Sequence, residues 1–118
     1  MNIQHLHTTA RFSEATIHQG IVYLAGQLAS HLDGNIEQQT HETLAIIDQL
    51  LAETGSHKSH ILSCTIYLND IQQDYAAFNL IWDEWLREVK APPRTCIQAG
   101  LYRPDVLIEI SIIAAQIE

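Results

Sequence analysis

The chain has 118 residues, 47% of them apolar and 17% charged, and its 14 acidic and 6 basic side chains give a formal net charge of −8. That length suits one compact domain spanning 1–118, and that balance excludes intrinsic disorder. An acidic field with no cluster of basic residues excludes nucleic acid as the main partner, and no apolar run approaches the ~20 residues of a membrane span.

The opening MNIQHLHTTA has neither a basic n-region nor an apolar h-region, so no signal peptide is expected and a cytoplasmic location is the default. Residues 11–18 and 20–27 are rich in strand formers and meet at His18-Gln19-Gly20, which predicts a β-hairpin. SHLDGNIEQ then reads as a polar loop. From about Glu37 to Thr54 the apolar period changes: Leu44, Ile47 and Leu51 are three and four apart, and Gly55 follows as a cap. This is an amphipathic helix.

HILSCTIYLN returns to strand character, with Leu62, Cys64, Ile66 and Leu68 alternating on one face. A second helix is expected from about Ile71 or Gln73 to Val89, with Tyr75, Phe78, Trp82, Trp85 and Val89 as its apolar stripe. At helical spacing such a stripe reads as core rather than as a ligand platform. Pro92-Pro93 forbids continuation. RTCIQAG reads as a strand, LYRPD as a turn and VLIEISIIAAQ as a last strand, the two strands being free to pair as a hairpin.

The predicted order is β-β-α-β-α-β-β, an α+β domain. Two right-handed crossovers place both helices on one face of one sheet. The last strand is nevertheless apolar on both sides, with Val106, Ile108, Ile110 and Ile112 against Leu107, Ile113 and Ala115. A bare apolar sheet face invites aggregation, so burial against further copies of the chain is expected.

Seven histidines raise the question of a metal. His5 and His7 share a face if extended, and His57 and His60 bracket a loop, but neither pair has a third ligand at a useful spacing, and no metal is assigned. Cys64 and Cys96 match no disulfide or metal spacing and read as reduced, small hydrophobes. Two charges stand out. Glu109 lies inside the apolar last strand, either as an exposed edge residue or as a partly desolvated acid whose raised pKa would suit general acid–base work. Arg94 opens the preceding strand. On composition alone, a structural Arg94–Glu109 ion pair is the favoured reading.

VYLAGQ (22–27), NxxWDxW (79–85), APPRTCIQAGL (91–101) and LIEISIIAA (107–115) together resemble the YjgF/YER057c/UK114 family, the reactive-intermediate deaminases or Rid proteins. The likeness runs through nearly the whole chain, and the most specific part is RTC with an acid thirteen residues after the cysteine. The resemblance implies a chorismate-mutase-like fold, a homotrimeric barrel with the helices outside, and ligand clefts between subunits. It further implies a hydrolase that converts enamines and imines to 2-keto acids and ammonia without metal or organic cofactor. Arg94 falls where the family clamps the substrate carboxylate, Glu109 where an acid activates water, Cys96 on the pocket wall, Gly26 on a cleft glycine and Asn79 on a helix asparagine near the cleft. Ungapped alignment places Phe12 and Ala25 at cleft positions where the enamine deaminases carry hydroxyls, so the cleft here is more apolar. The alternative function is a non-catalytic module that binds or senses a small carboxylate.

Overall fold

The computed structural model describes residues 2–118. Six strands and two helices follow in the order β1 (Gln4–Thr8), β2 (Ser13–His18), β3 (Ile21–Gln27), α1 (Ile36–Glu53), β4 (Ile61–Leu68), α2 (Ile71–Trp85), β5 (Arg94–Gln98) and β6 (Ile108–Ala115). The strands form one mixed sheet of order β1-β2-β3-β6-β4-β5. Only β4 and β5 are parallel; every other neighbouring pair is antiparallel. The α+β class and the single layer of helices agree with the sequence.

Local chemistry accounts for the element ends. Gln19 and Gly20 both take positive φ (53° and 77°), the geometry of a two-residue turn whose twist matches the hairpin of β2 and β3. Asn35 caps α1 by accepting from the Gln38 N–H, while the Gln38 side chain accepts from the Asn35 N–H. Gly55 ends α1 in the left-handed region at φ 78°. Asp70 caps α2 through the Gln73 N–H.

The buried face of the sheet carries Cys64, Ile66 and Leu68 from β4 and Ile108, Ile110, Ile112 and Ala114 from β6. Against it pack Leu44, Ile47 and Leu51 of α1 and Phe78 and Trp82 of α2. The other face is uncovered in the single chain, and Tyr23, Ile97 and Ile113 are exposed on it.

Four expectations need correction. The N-terminal strand β1 was not anticipated, because QHLHT has one apolar residue and is mostly exposed; it forms by pairing along β2. The strand after the prolines does not form a hairpin with the last one. The α2 crossover returns β5 parallel to β4 at the sheet edge, and β6 inserts between β3 and β4. Helix α2 stops at Trp85, with turns bonded Arg87 N–H to Glu84 C=O and Val89 N–H to Leu86 C=O carrying the chain onward. Finally, the β4–β6 register shifts between Ile61 and Ser63, so Ile61 is buried and Leu62 is turned out.

Candidate functional site

Pro92-Pro93 delivers Arg94 to the first position of β5, opposite Cys64 of β4. Laterally paired residues point to the same face, so the Arg94 side chain turns toward α2. Its guanidinium carbon lies 5.9 Å from the Tyr75 ring centre, 5.6 Å from Phe78 and 5.7 Å from Trp82. Arg94 Nη2 donates to Asn79 Oδ1 at 2.9 Å and to Tyr75 Oη at 3.2 Å. Nη1 is buried with no acceptor, and among the described residues no carboxylate pairs with this cation. The apolar stripe of α2 is therefore core at Phe78 and Trp82 and at the same time the seat of Arg94.

Cys96 stands opposite Ile66 on the same face and is partly buried. Burial raises its thiol pKa, against a smaller lowering effect of Arg94. Cys64, more deeply buried, is pushed up to about 11 by burial, again opposed by Arg94.

Glu109 lies on the other side of the sheet. It stands opposite Tyr67, which is itself paired with the exposed Ile97. The Arg94–Glu109 ion pair suggested by composition is thereby corrected: one strand separates β5 from β6, and the two side chains leave opposite faces. Glu109 instead packs on Gly26. The β3–β6 register slips between Leu24 and Gln27, where Ala25 and Gly26 of β3 face the single Ser111 of β6. At this bulge a Cβ on Gly26 would run into the Glu109 carboxylate, 2.9 Å from its Cδ. The nearest occupant of the room left by the missing Gly26 side chain is thus Glu109. Burial raises the Glu109 pKa.

Gly26 and Glu109 line an open cleft of about 420 Å³ together with Tyr67, Leu101, Tyr102 and Ser111. The loop that carries Tyr102 is fixed at two points. Arg103 binds Asp105 bidentately at 3.0 and 2.7 Å. Gln39 of α1, 1% exposed, donates from Nε2 to the Asp105 carbonyl at 2.9 Å and to the Gly34 carbonyl at 3.1 Å, and its Oε1 accepts from the Leu107 N–H at 3.0 Å.

Phe12 is held on the β1–β2 loop, where Thr9 Oγ1 accepts from the Arg11 and Phe12 N–H groups and the Thr9 N–H donates to the Phe12 carbonyl. It lines a second hollow that also reaches Gly26 and Tyr102. Ala25 sits in the bulge, partly buried, and its carbonyl accepts from Gln27 Nε2 at 3.0 Å. The candidate residues thus fall into two groups in the single chain: Arg94, Cys96 and Asn79 on the helix face, and Glu109, Gly26 and Phe12 around the clefts beyond it.

Tyr75, Tyr102 and Gln39 were missed as contributors. A tyrosine at the exposed end of the α2 stripe, and one in the LYRPD turn, were the available signals; nothing local marks Gln39. His5 bonds Thr16, His7 Glu53, His18 the Asn2 carbonyl and His31 Glu42, while His57 and His60 share Ser59. Among the described residues no three His, Cys, Asp or Glu side chains gather as a metal site, and no helix is long and apolar enough to cross a membrane.

Residues 2–116 match the protein family described as Endoribonuclease L-PSP. A RutC family protein of Haemophilus influenzae is 44% identical, covering 97% of this chain and 98% of its own length. The solved structure of NMB1025 from Neisseria meningitidis, a member of the YjgF protein family, aligns with a TM-score of 0.95 at 40% identity over 100% of this chain and 98% of that one. The Rid family protein YyfA of Yersinia pestis aligns with a TM-score of 0.85 at 26% identity, over 92% and 90% of the two chains.

Proposed function

The chain belongs to the YjgF/UK114 family, which includes the Rid and RutC proteins, and from that premise we propose that it hydrolyses reactive small 2-imino and 2-enamino acids to 2-keto acids and ammonia. The observation that carries this reading is the Arg94 guanidinium, held by Asn79 and Tyr75 over three rings with no carboxylate partner among the described residues. A planar fork in that position suits a substrate carboxylate.

Arg94 and Glu109 leave opposite faces of the sheet, so the site is completed between copies. Arg94 opens an edge strand, which a neighbouring protomer can approach, and Tyr23, Ile97 and Ile113 supply apolar surface to bury. A homotrimer with the ligand in its intersubunit clefts is the assembly proposed. The desolvated Glu109 is suited to both directions of proton transfer. In its protonated form it gives a proton to C3 of an enamine, converting it to the iminium. As carboxylate it takes a proton from the water whose oxygen bonds to C2. It returns that proton to the nitrogen and, as the C2–N bond breaks with its electron pair on nitrogen, accepts the carbinol hydroxyl proton. The products are the keto acid and ammonia, and Glu109 ends protonated as it began. Cys96, kept protonated by burial, is a poor nucleophile and serves as wall. No metal or organic cofactor enters the scheme.

The test is Arg94→Ala in an assay of imine hydrolysis coupled to an amino-acid oxidase. Charge-assisted pairs are worth roughly 1.5–3 kcal/mol, so a loss of about ten- to a hundredfold in kcat/KM is expected. Wild-type activity in the variant refutes the site. A second reading, a non-catalytic module that binds or senses a 2-keto acid, is favoured by Phe12 and Ala25, which bring no hydroxyl to the cleft. Tight keto-acid binding without acceleration of hydrolysis identifies that case. Action on RNA is disfavoured by the −8 charge and by the pairing of Arg87 and Arg103 with acids. A cytoplasmic site of action fits two free cysteines.

A further inference from the structure

Gly26 and Tyr102 line two hollows at once. One is the Glu109 cleft; the other, of about 540 Å³, adjoins it and is walled by Phe12, Leu28, Ala29, Leu32 and Ile46, with Glu14, Gln27 and Ser30 as its polar members. We infer that this second hollow receives the substrate's side chain and selects 2-imino acids that carry a bulky, branched apolar group. The inference rests on the imine hydrolysis proposed above, since Glu109 marks the reacting carbon.

Three observations converge on it. The first is continuity, because Gly26 and Tyr102 wall both hollows, so a ligand whose C2 lies at Glu109 extends past Tyr102 into the second. The second is the polarity of the walls. Gln27 Nε2 donates to the Ala25 carbonyl at 3.0 Å and approaches Glu14 Oε1 at 3.5 Å, so its amide is engaged within the protein. The charge bordering the hollow is the Glu14 carboxylate, which repels a substrate carboxylate and so orients the ligand with its other end inward. The third is Phe12, whose ring is 51% exposed on a loop that Thr9 holds in place. A large ring presented in this way gains by covering an apolar ligand. A methyl group reaches too little of these walls to gain much, whereas each further buried methylene is worth roughly fourfold in affinity, about 0.8 kcal/mol.

The experiment uses the intact protein with three 2-keto acids as product probes: pyruvate, 4-methyl-2-oxopentanoate and 5-guanidino-2-oxopentanoate. Calorimetry measures their binding, and hydrolysis of the matching imines, made in place by an amino-acid oxidase from alanine, leucine and arginine, measures turnover. Binding of 4-methyl-2-oxopentanoate at least tenfold tighter than either other acid is expected. Equal binding, or preference for pyruvate, overturns the inference; preference for the guanidino acid overturns it in favour of Glu14 as a cation receptor. The expected binding order without any imine hydrolysis leaves the side-chain pocket standing and removes the deaminase reading. The expected turnover order supports both, and failure to bind any of the three removes both. Phe12→Ala, checked for an unchanged far-ultraviolet spectrum, is expected to shrink the leucine-type preference at least threefold. An unmoved preference overturns the assignment of the hollow.

Discussion

The Glu109 carboxylate fills the space that a side chain at residue 26 would need, which makes Gly26 and Glu109 one structural unit across the β3 bulge. Gly26→Ala must therefore displace either the acid or the bulge. Overpacking of this kind costs roughly 1–3 kcal/mol, and the misplaced acid is expected to lower kcat/KM about a hundredfold. Combining it with Glu109→Ala should remove most of the stability loss. Thermal melts of the two single variants and the double variant check this, and strictly additive losses would contradict the contact.

Asn79 holds Arg94 at 2.9 Å from the adjoining helix. Asn79→Ala leaves the cation in place over its three rings but frees its fork. We expect KM to rise about tenfold with a smaller change in kcat, because hydrogen bonds to charged groups are worth roughly 1.5–3 kcal/mol. Steady-state kinetics separates this from a loss of fold, which would lower the concentration of active protein instead.

Asp74 is 4% exposed in the first turn of α2, and burial, with a further push from Asp70, raises its pKa. Glu109 is raised by burial as well. For an acid whose folded pKa lies above its unfolded one, the folded state binds more protons. The contribution to stability is then fully present below the unfolded pKa and is lost as pH rises through the folded pKa. Asp74→Asn is thus expected to be more stable than wild type at pH 7 and to lose that advantage near pH 4. Denaturant melts across this range read the difference directly.

Gln39 joins α1 to the loop of Tyr102 and to the loop that precedes α1, through Asp105, Leu107 and Gly34. Gln39→Leu keeps the bulk and leaves these backbone groups without their partner. A loss of about 3 kcal/mol is expected, since a buried group without a partner costs roughly 1–3 kcal/mol. Faster amide exchange at Leu107 would show that the loop, and with it Tyr102, has come loose.

Much of this architecture is legible in the order of the residues. Gly55, Gln19-Gly20 and Pro92-Pro93 mark where elements start and stop, because caps, left-handed turns and missing N–H groups act within a few residues. The period of Leu44, Ile47 and Leu51 likewise identifies α1 and its buried side. The identity of Arg94 and Glu109 as charges in need of an explanation came from the same local pattern.

What only the tertiary structure decided is which faces those charges occupy and what stands beside them. Strand order is set by pairings over tens of residues, and a local pattern cannot reveal that β6 enters between β3 and β4. That insertion turns Glu109 onto Gly26 and brings Gln39 to the Asp105 loop, while the parallel pairing of β5 with β4 sends Arg94 to the helices. Periodicity tells a side chain that it has two faces to choose from; the neighbour across the ladder, chosen by the burial of the whole sheet, determines which one it takes.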